Sequence, residues 1–314
     1  MSRRFLGIDT SNYTTSFASC EDSRILVNSK VPVSVKPGER GVRQNDAVFS
    51  HIQNIPQAIS RLGRGEYTAI GVSAKPRPIE GSYMPCFLSG VAVAESLATT
   101  MGIPLYRFSH QEGHIRAALY SANRLDLVDK TFTAFHVSGG TTEVLLYDKG
   151  DIRLIGETLD INAGQLIDRV GVLLGVSFPC GPSLDTMCDF EAMRSEGITP
   201  MTKVKELTCN LSGLENKASQ YLQKGASHGA VAAFVVSSIC KTLEKLSHNA
   251  LELYGDLCHE KTILFSGGVS GNSFIQKMIR KNFNAYFAEP SFSSDNAGGI
   301  ALLCEERYSA EYGN

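Results

Sequence analysis

FTAFHVSGGTTEVLLYD, residues 132–148, is the stretch whose reading decides the fold. An apolar, aromatic-rich run enters Ser138-Gly139-Gly140-Thr141, and a second apolar run leaves it. The pattern is strand, small polar turn, strand. RRFLGIDTSNYTTSFAS, residues 3–19, follows the same plan, with Asp9-Thr10-Ser11 at its turn. Repetition of one supersecondary unit says more than either copy alone. Each copy opens a half of the chain in which short apolar strands alternate with helical patterns, the sign of an α/β fold. Strands are expected at 4–9, 14–20, 68–73, 132–137, 143–148, 152–157 and 261–266. Helices are expected at 45–61, 89–101, 110–122, 162–174, 228–254, 271–282 and 295–309. The least regular part, 196–212, reads as a loop or an insertion.

A third glycine-rich turn lies in TILFSGGVSGNSFIQKMIRK, residues 262–281, where a strand runs into Gly267-Gly268 and a helix starts near Asn272. Glycines after buried strands let backbone N–H groups approach phosphate oxygens without a Cβ in the way. A helix N-terminus adds partial positive charge for an anion. The patterns G-x-x-x-x-G-K-[ST] and G-x-G-x-x-G are both absent. The duplicated hairpins instead resemble the actin, sugar-kinase and chaperone-ATPase superfold. That implies two RNase H-like lobes with a nucleotide cleft between them. The expected division is an N-terminal lobe at 1–130, a C-terminal lobe at 131–294, and a helix at 295–314 returning to the first lobe.

The 314 residues are 43% hydrophobic and 20% charged, with a net charge of −2. That is ordinary for a globular protein and excludes a strongly basic nucleic-acid binder, though not a local basic patch or a basic partner. None of the eight cysteines forms a C-x-x-C pair, which argues against a thiolate zinc site or a redox motif. No apolar run reaches the roughly 18 residues of a membrane span, and the N-terminus lacks the apolar core of a signal peptide. A cytoplasmic protein with no membrane partner is expected.

SHQEGHIRAALYSA, residues 109–122, sets His110 and His114 four apart, on one face of a helix. Two imidazoles so placed suit one metal ion. The zinc-protease motif H-E-x-x-H needs glutamate directly after the first histidine, and position 111 is Gln. Spacing alone leaves two readings open, a metal pair lacking its third ligand or two histidines sharing a face by chance.

FLGIDTS, HQEGHI, VSGGTTEVLL, ETLDINAGQLIDRVGVLLGVSFPCGPSLD, LSGLENK, FSGGVSGN and SSDNAGGIAL occur in this order, from about residue 4 to residue 303. As an ordered set they resemble the TsaD family, also called Gcp or YgjD and once labelled a glycoprotease. The resemblance implies metal-assisted transfer of a threonylcarbamoyl group from its adenylate to N6 of the adenosine beside the tRNA anticodon. Residue by residue, it implies a divalent ion, iron or zinc, held by His110, His114 and Asp295. Val137, Ser138, Gly139, Gly140 and Thr141 match its phosphate-side turn. Asp168, Gly181, Asp185 and Asn272 match the residues that hold the nucleoside. Asp9 and Ser11, in the first turn, are candidate catalytic residues. A TsaB-like homologous subunit, a TsaE-like ATPase and a separate adenylate-making synthase are the implied partners, with tRNA as acceptor.

The chain also departs from the family. Glu-Thr-Ser-Cys-Asp-Glu-Thr becomes Asp9-Thr10-Ser11-Asn12-Tyr13-Thr14-Thr15, losing two acidic positions. Ser-Gly-Gly-His-Thr becomes Ser138-Gly139-Gly140-Thr141-Thr142, losing a histidine. SAKPRPIEGSYMPCFLSG, residues 73–90, replaces a Gly-Pro-Gly-rich loop. A divergent paralogue fits these changes as well as an unusual orthologue does. The rival functions are carbamoyl transfer to another acceptor, as in HypF-type enzymes, and a nucleotide-binding regulatory scaffold. HypF-type proteins normally carry an additional domain, for which 314 residues leave little room. A protease is excluded because no nucleophile–base pair is visible. His136 reads as a core histidine without a role. Arg61 and Arg64, and the run Lys277, Arg280 and Lys281, are the basic groups available to a tRNA backbone.

Overall fold

A computed structural model describes residues 3–11, 13–33, 42–63, 65–294 and 297–313. The chain forms two compact units, Met1–Leu125 with Ser294–Asn314, and Asp126–Ser293. In the first unit the elements are β1 Arg4–Asp9, β2 Thr14–Glu21, β3 Arg24–Pro32, α1 Gln44–Ser60, β4 Ala69–Lys75, α2 Phe87–Met101, β5 Leu105–Ser109 and α3 His110–Ser121. The second unit holds β6 Thr131–Val137, β7 Thr142–Asp148, β8 Asp151–Glu157, α4 Ala163–Leu173, α5 Gly181–Met187, α6 Phe190–Ser195, β9 Val204–Lys205, β10 Thr208–Cys209, α7 Ser212–Gln223, α8 His228–Tyr254, β11 Ile263–Ser266, α9 Ser273–Asn282, β12 Ala285–Phe287 and α10 Pro290–Ser293. The last helix, α11 Gly298–Tyr312, belongs to the first unit.

Each unit is built on a five-stranded sheet, ordered β3-β2-β1-β4-β5 in one and β8-β7-β6-β11-β12 in the other. The two orders correspond strand for strand. Three strands form an antiparallel meander and two more join in parallel on the other side of the first strand. This is the duplication read from the two hairpins, in the α/β fold of the actin and sugar-kinase kind. In both units the second hairpin turns through two residues with positive φ, Asp22-Ser23 (49° and 56°) and Lys149-Gly150 (51° and 106°). That backbone twist matches the right-handed twist of paired strands.

Several elements escape the sequence reading. β3 (RILVNSKVP) is an edge strand, half-exposed, in which Ile25, Val27 and Val31 alternate toward the more buried face but Asn28, Ser29 and Lys30 interrupt the apolar run. β5 and β12 are only five and three residues long. α5 and α6, of seven and six residues, are too short to show a helical period, and α7 went unrecognised. The irregular stretch 196–212 contains the small β9–β10 pair.

In the second unit α4 and α8 bury Leu166, Val170, Phe234 and Val235 against Phe135, Val144 and Phe265 of the sheet. In the first unit α11 lies on β1 and α3 by means of glycine. A Cβ on Gly299 would stand 1.9 Å from the Gly113 carbonyl oxygen, and one on Gly7 would stand 2.4 Å from that of Ala297. Only bare backbone permits this approach. Gly113 lies between His110 and His114, so the crossing fixes the helix that carries them. Arg116 of α3 and Glu306 of α11 form an ion pair beside it.

All eight cysteines are free. Burial pushes the thiols of Cys188 and Cys240 up to about 12, which keeps them protonated and poor as nucleophiles at neutral pH. Among the described residues no helix is long and apolar enough to cross a membrane.

Candidate functional site

The first unit holds a histidine pair. Ser109 caps α3: its hydroxyl accepts the Glu112 N–H, while the Glu112 carboxylate accepts the Ser109 N–H at 2.6 Å. Glu112 is therefore spent on the helix start. With the first turn pinned, His110 and His114 project together, their Nε2 atoms 2.9 Å apart. Behind His110 stands Asp9, 1% exposed, whose Oδ2 accepts from His110 Nδ1 at 2.7 Å and from the Ser73 hydroxyl at 2.8 Å. Its Oδ1 accepts the Ser11 N–H at 2.8 Å, closing the turn after β1.

A carboxylate on Nδ1 fixes the proton there and leaves the Nε2 lone pair pointing forward. The 2.9 Å separation then has two readings. His114 donates to His110, or both nitrogens face one ion. Two nitrogens ~2.05 Å from one ion stand ~2.9 Å apart at the right angle of a six-coordinate site and ~3.3 Å apart at the tetrahedral angle, so the pair fits a six-coordinate ion such as iron better than a tetrahedral zinc. Asp295, the expected third ligand, lies outside the described residues. Its described neighbours are tied down, Ser294 by Lys30 Nζ at 3.0 Å and the Ala297 N–H by the Ser16 hydroxyl at 2.8 Å. Among the described residues no group of three His, Cys, Asp or Glu is set to hold an ion. The three-ligand centre expected from the sequence is thus seen only as two histidines with a carboxylate behind one of them.

The second unit holds a glycine-rich turn. Ser138 folds it on itself: its hydroxyl accepts the N–H groups of Gly140 at 3.2 Å and Thr141 at 3.1 Å. The start of α4 docks against the same turn. Gly164 N–H donates to the Ser138 carbonyl at 3.1 Å, the Asn162 side chain donates to the Gly140 carbonyl at 2.9 Å, and Ala163 N–H donates to the Thr142 hydroxyl at 2.9 Å. A Cβ on Gly164 would meet Gly139 at 2.7 Å. Val137 is buried at the end of β6 and contributes only its backbone here.

The four expected nucleoside residues gather around α5. The Asp168 carboxylate accepts the Cys180 N–H at 2.9 Å, just before Gly181 opens the helix. Burial raises the pKa of Asp168, and that hydrogen bond works the other way. At the far end of α5, Asp185 accepts from the Asn272 side chain at 2.8 Å, while Asn272 Oδ1 caps α9 by accepting the Ile275 N–H at 2.9 Å.

Asp160 is a residue that the sequence reading missed. It binds the Ser212 hydroxyl at 2.6 Å and the N–H groups of Leu211 at 2.8 Å and Ile161 at 2.7 Å. It thereby anchors the start of α7, 52 positions away, to the loop before α4. Desolvation opposes its ionised form, but those hydrogen bonds prevail and lower its pKa to about 2. No local signal could have found this. The cap of α4, Asn162 with Gln165, was readable as an N-x-x-Q capping pattern.

Of the basic groups, Arg61 donates to the Lys30 carbonyl at 3.1 Å, and Arg64 lies outside the described residues. Lys277, Arg280 and Lys281 are exposed on α9, with the Arg280 guanidinium 4.9 Å from the Phe287 ring centre.

A family profile described as "TsaD: tRNA N6-adenosine threonylcarbamoyltransferase" matches residues 27–302. The chain belongs to the TsaD family. A relative of that same name from Thermosipho africanus (strain TCF52B) is 28% identical over 320 residues, covering 96% of this chain and 94% of its own. One from Bordetella avium (strain 197N) is 31% identical over 268 residues, covering 81% and 74%. Among solved structures, full-length HypF in its phosphate- and nucleotide-bound form aligns with a TM-score of 0.62 at 13% identity, covering 98% of this chain and 56% of HypF. Component A of the Acidaminococcus fermentans (R)-2-hydroxyglutaryl-CoA dehydratase aligns with a TM-score of 0.58 at 14% identity, covering 98% and 99%. At these identities the structural matches speak for the fold alone, and membership of the TsaD family, a family of transferases, rests on sequence.

Proposed function

We propose that this TsaD-family protein transfers a threonylcarbamoyl group from threonylcarbamoyl-adenylate to N6 of the adenosine next to the tRNA anticodon. The observation that carries the reading is the joint presence of the family match and the Asp9–His110–His114 arrangement. In the reaction the adenosine amine attacks the carbonyl carbon of the mixed anhydride. The bond to the AMP phosphate oxygen breaks, the amine loses a proton, and AMP leaves.

His110, His114 and Asp295 are the residues that would hold a divalent ion, iron or zinc. When bound, such an ion supplies Lewis acidity toward a carbonyl or phosphoryl oxygen. The chain's own part is positional. Asp9 keeps His110 in the tautomer whose Nε2 lone pair faces His114, and its buried setting suits this supporting role better than contact with substrate. Ser11, whose N–H closes the turn onto Asp9, shares that role. An adenylate phosphate at the turn 138–141 would compete with the Ser138 hydroxyl for the Gly140 and Thr141 N–H groups. An anionic oxygen is the stronger acceptor. Asp168 and Asp185 offer acceptors suited to ribose hydroxyls, with Asn272 orienting Asp185.

The test mixes the protein with a TsaB-like subunit, a TsaE-like ATPase and an adenylate-making synthase, supplied with labelled threonine, bicarbonate, ATP and unmodified tRNA. Label on the tRNA supports the transferase reading. Carbamoyl-adenylate consumed onto a small acceptor, with tRNA unlabelled, would move the protein to the carbamoyltransferases. Turnover of neither, despite bound nucleotide, would favour a regulatory scaffold.

A further inference from the structure

The sheet of the second unit carries a polar row across one end of an otherwise apolar face. On that face Phe132 pairs with Tyr147, and Ala134 pairs with Leu145 and Leu264. One step further along, His136 pairs with Glu143 of β7 and with Ser266 of β11, and Glu143 in turn pairs with Glu157 of β8. Directly paired residues share a sheet face, with Cβ atoms roughly 4.5–5.5 Å apart. His136 is half-buried, whereas Glu143 and Ser266 are each 3% exposed. His136 is therefore not an isolated core histidine.

Its Nδ1 lies 3.0 Å from the Ser266 hydroxyl. That hydroxyl has one proton and a second acceptor in reach, the Phe135 carbonyl at 3.3 Å. The Ser266 carbonyl accepts the Ser270 hydroxyl at 2.7 Å, which folds the turn at 267–271. Gly267, with φ +90°, sits so close to β6 that a Cβ there would be 2.4 Å from the Val137 carbonyl oxygen. His136 and Val137 directly precede the turn 138–141. Ser266 and Gly267 lead into the turn that ends at the Asn272 cap. The two glycine-rich turns thus grow from paired strands, and the His136–Ser266 hydrogen bond and the close approach of Gly267 to Val137 tie their bases together. A Ser–His–Glu nucleophile is a poor account of the row, since Ser266 is buried and already bound by both neighbours.

We propose that His136 is a positioning residue that, through Ser266, holds the turns 138–141 and 267–271 in one register for an adenine mononucleotide. This rests on the reading above that these turns and the Asn272 cap meet the adenylate. The experiment uses the full chain with AMP as probe, in calorimetry, together with amide NMR spectra of Gly139, Gly140, Gly267 and Gly268. His136→Ala and Ser266→Ala should each weaken AMP binding about five- to tenfold, and the double variant should be no worse than either single one. His136→Asn, whose amide can reach the position of Nδ1, should bind AMP within about twofold of wild type. The glycine signals of both turns should move in His136→Ala and return in His136→Asn. Unchanged AMP affinity in His136→Ala would overturn the proposal, as would a His136→Asn variant as weak as the alanine one. If the wild type binds no AMP, the nucleotide reading fails separately and the spectra decide. Signals shifting in one turn alone overturn the positioning role, and concerted shifts in both uphold it.

Discussion

Asp160→Asn is a sharp test of how the second unit is held together. The wild-type carboxylate accepts from Ile161, Leu211 and Ser212 backbone N–H groups and from the Ser212 hydroxyl. Asparagine keeps one oxygen but turns an NH2 group toward donors. The hydrogen bonds, outweighing desolvation, lower the Asp160 pKa to about 2. From an ordinary value near 4, a fall of about two pH units is worth roughly 2–3 kcal/mol at full weight. Asp160 is an exposed residue, so solvent screening reduces this to about 1 kcal/mol. The sign follows from the depressed pKa. The stabilisation is present in full above the unfolded carboxylate's pKa, near 4, and is lost as pH falls through about 2. Thermal unfolding of wild type and variant at pH 7, 4 and 2.5 reads it directly. The variant should melt about 2–4 °C lower at pH 7, since about 1 kcal/mol moves a unit of this size by that much. The gap should narrow steadily below pH 4. A gap that stays constant down to pH 2.5, or no gap at pH 7, would refute the reasoning.

Metal analysis of His110→Ala/His114→Ala should show about stoichiometric loss of a divalent ion relative to wild type, as when a ligand set is dismantled; equal content would remove the site. Asn272→Ala should weaken AMP binding by about 0.5–1.5 kcal/mol in calorimetry because it unties Asp185, and should melt about 2–4 °C lower than wild type because it removes the cap of α9; unchanged affinity would show that the nucleoside binds elsewhere. Replacing Lys277 and Lys281 by Glu, leaving Arg280 on Phe287, should flatten the salt dependence of tRNA binding, whose slope is about −0.9 per neutralised phosphate on duplex regions. An unaltered slope would mark them as an ordinary solvated face.

What the sequence by itself determined lies within a few residues of each motif. Both strand–turn–strand hairpins, the helix of His110 and His114, the long α8 and the helix starts near Asn162 and Asn272 were legible there. Their causes are local: strand and helix periodicity, glycine at turns, and side chains that satisfy N–H groups three positions on. Duplication was legible for the same reason, since it repeats a local pattern. The sequence says nothing of partners that pairing register alone brings together. Only the tertiary structure seats Asp9 against His110 from 101 positions away, ties Asp160 to Ser212 from 52, and lays His136 between Glu143 and Ser266. It also recruits β3, β5 and β12, which are too short or too interrupted by polar residues to stand out in the sequence and which complete the sheets at their edges. A one-residue slip in β6 would turn His136 to the helix-covered face and leave Ser266 without it, so its role is a property of the sheet and not of the residue.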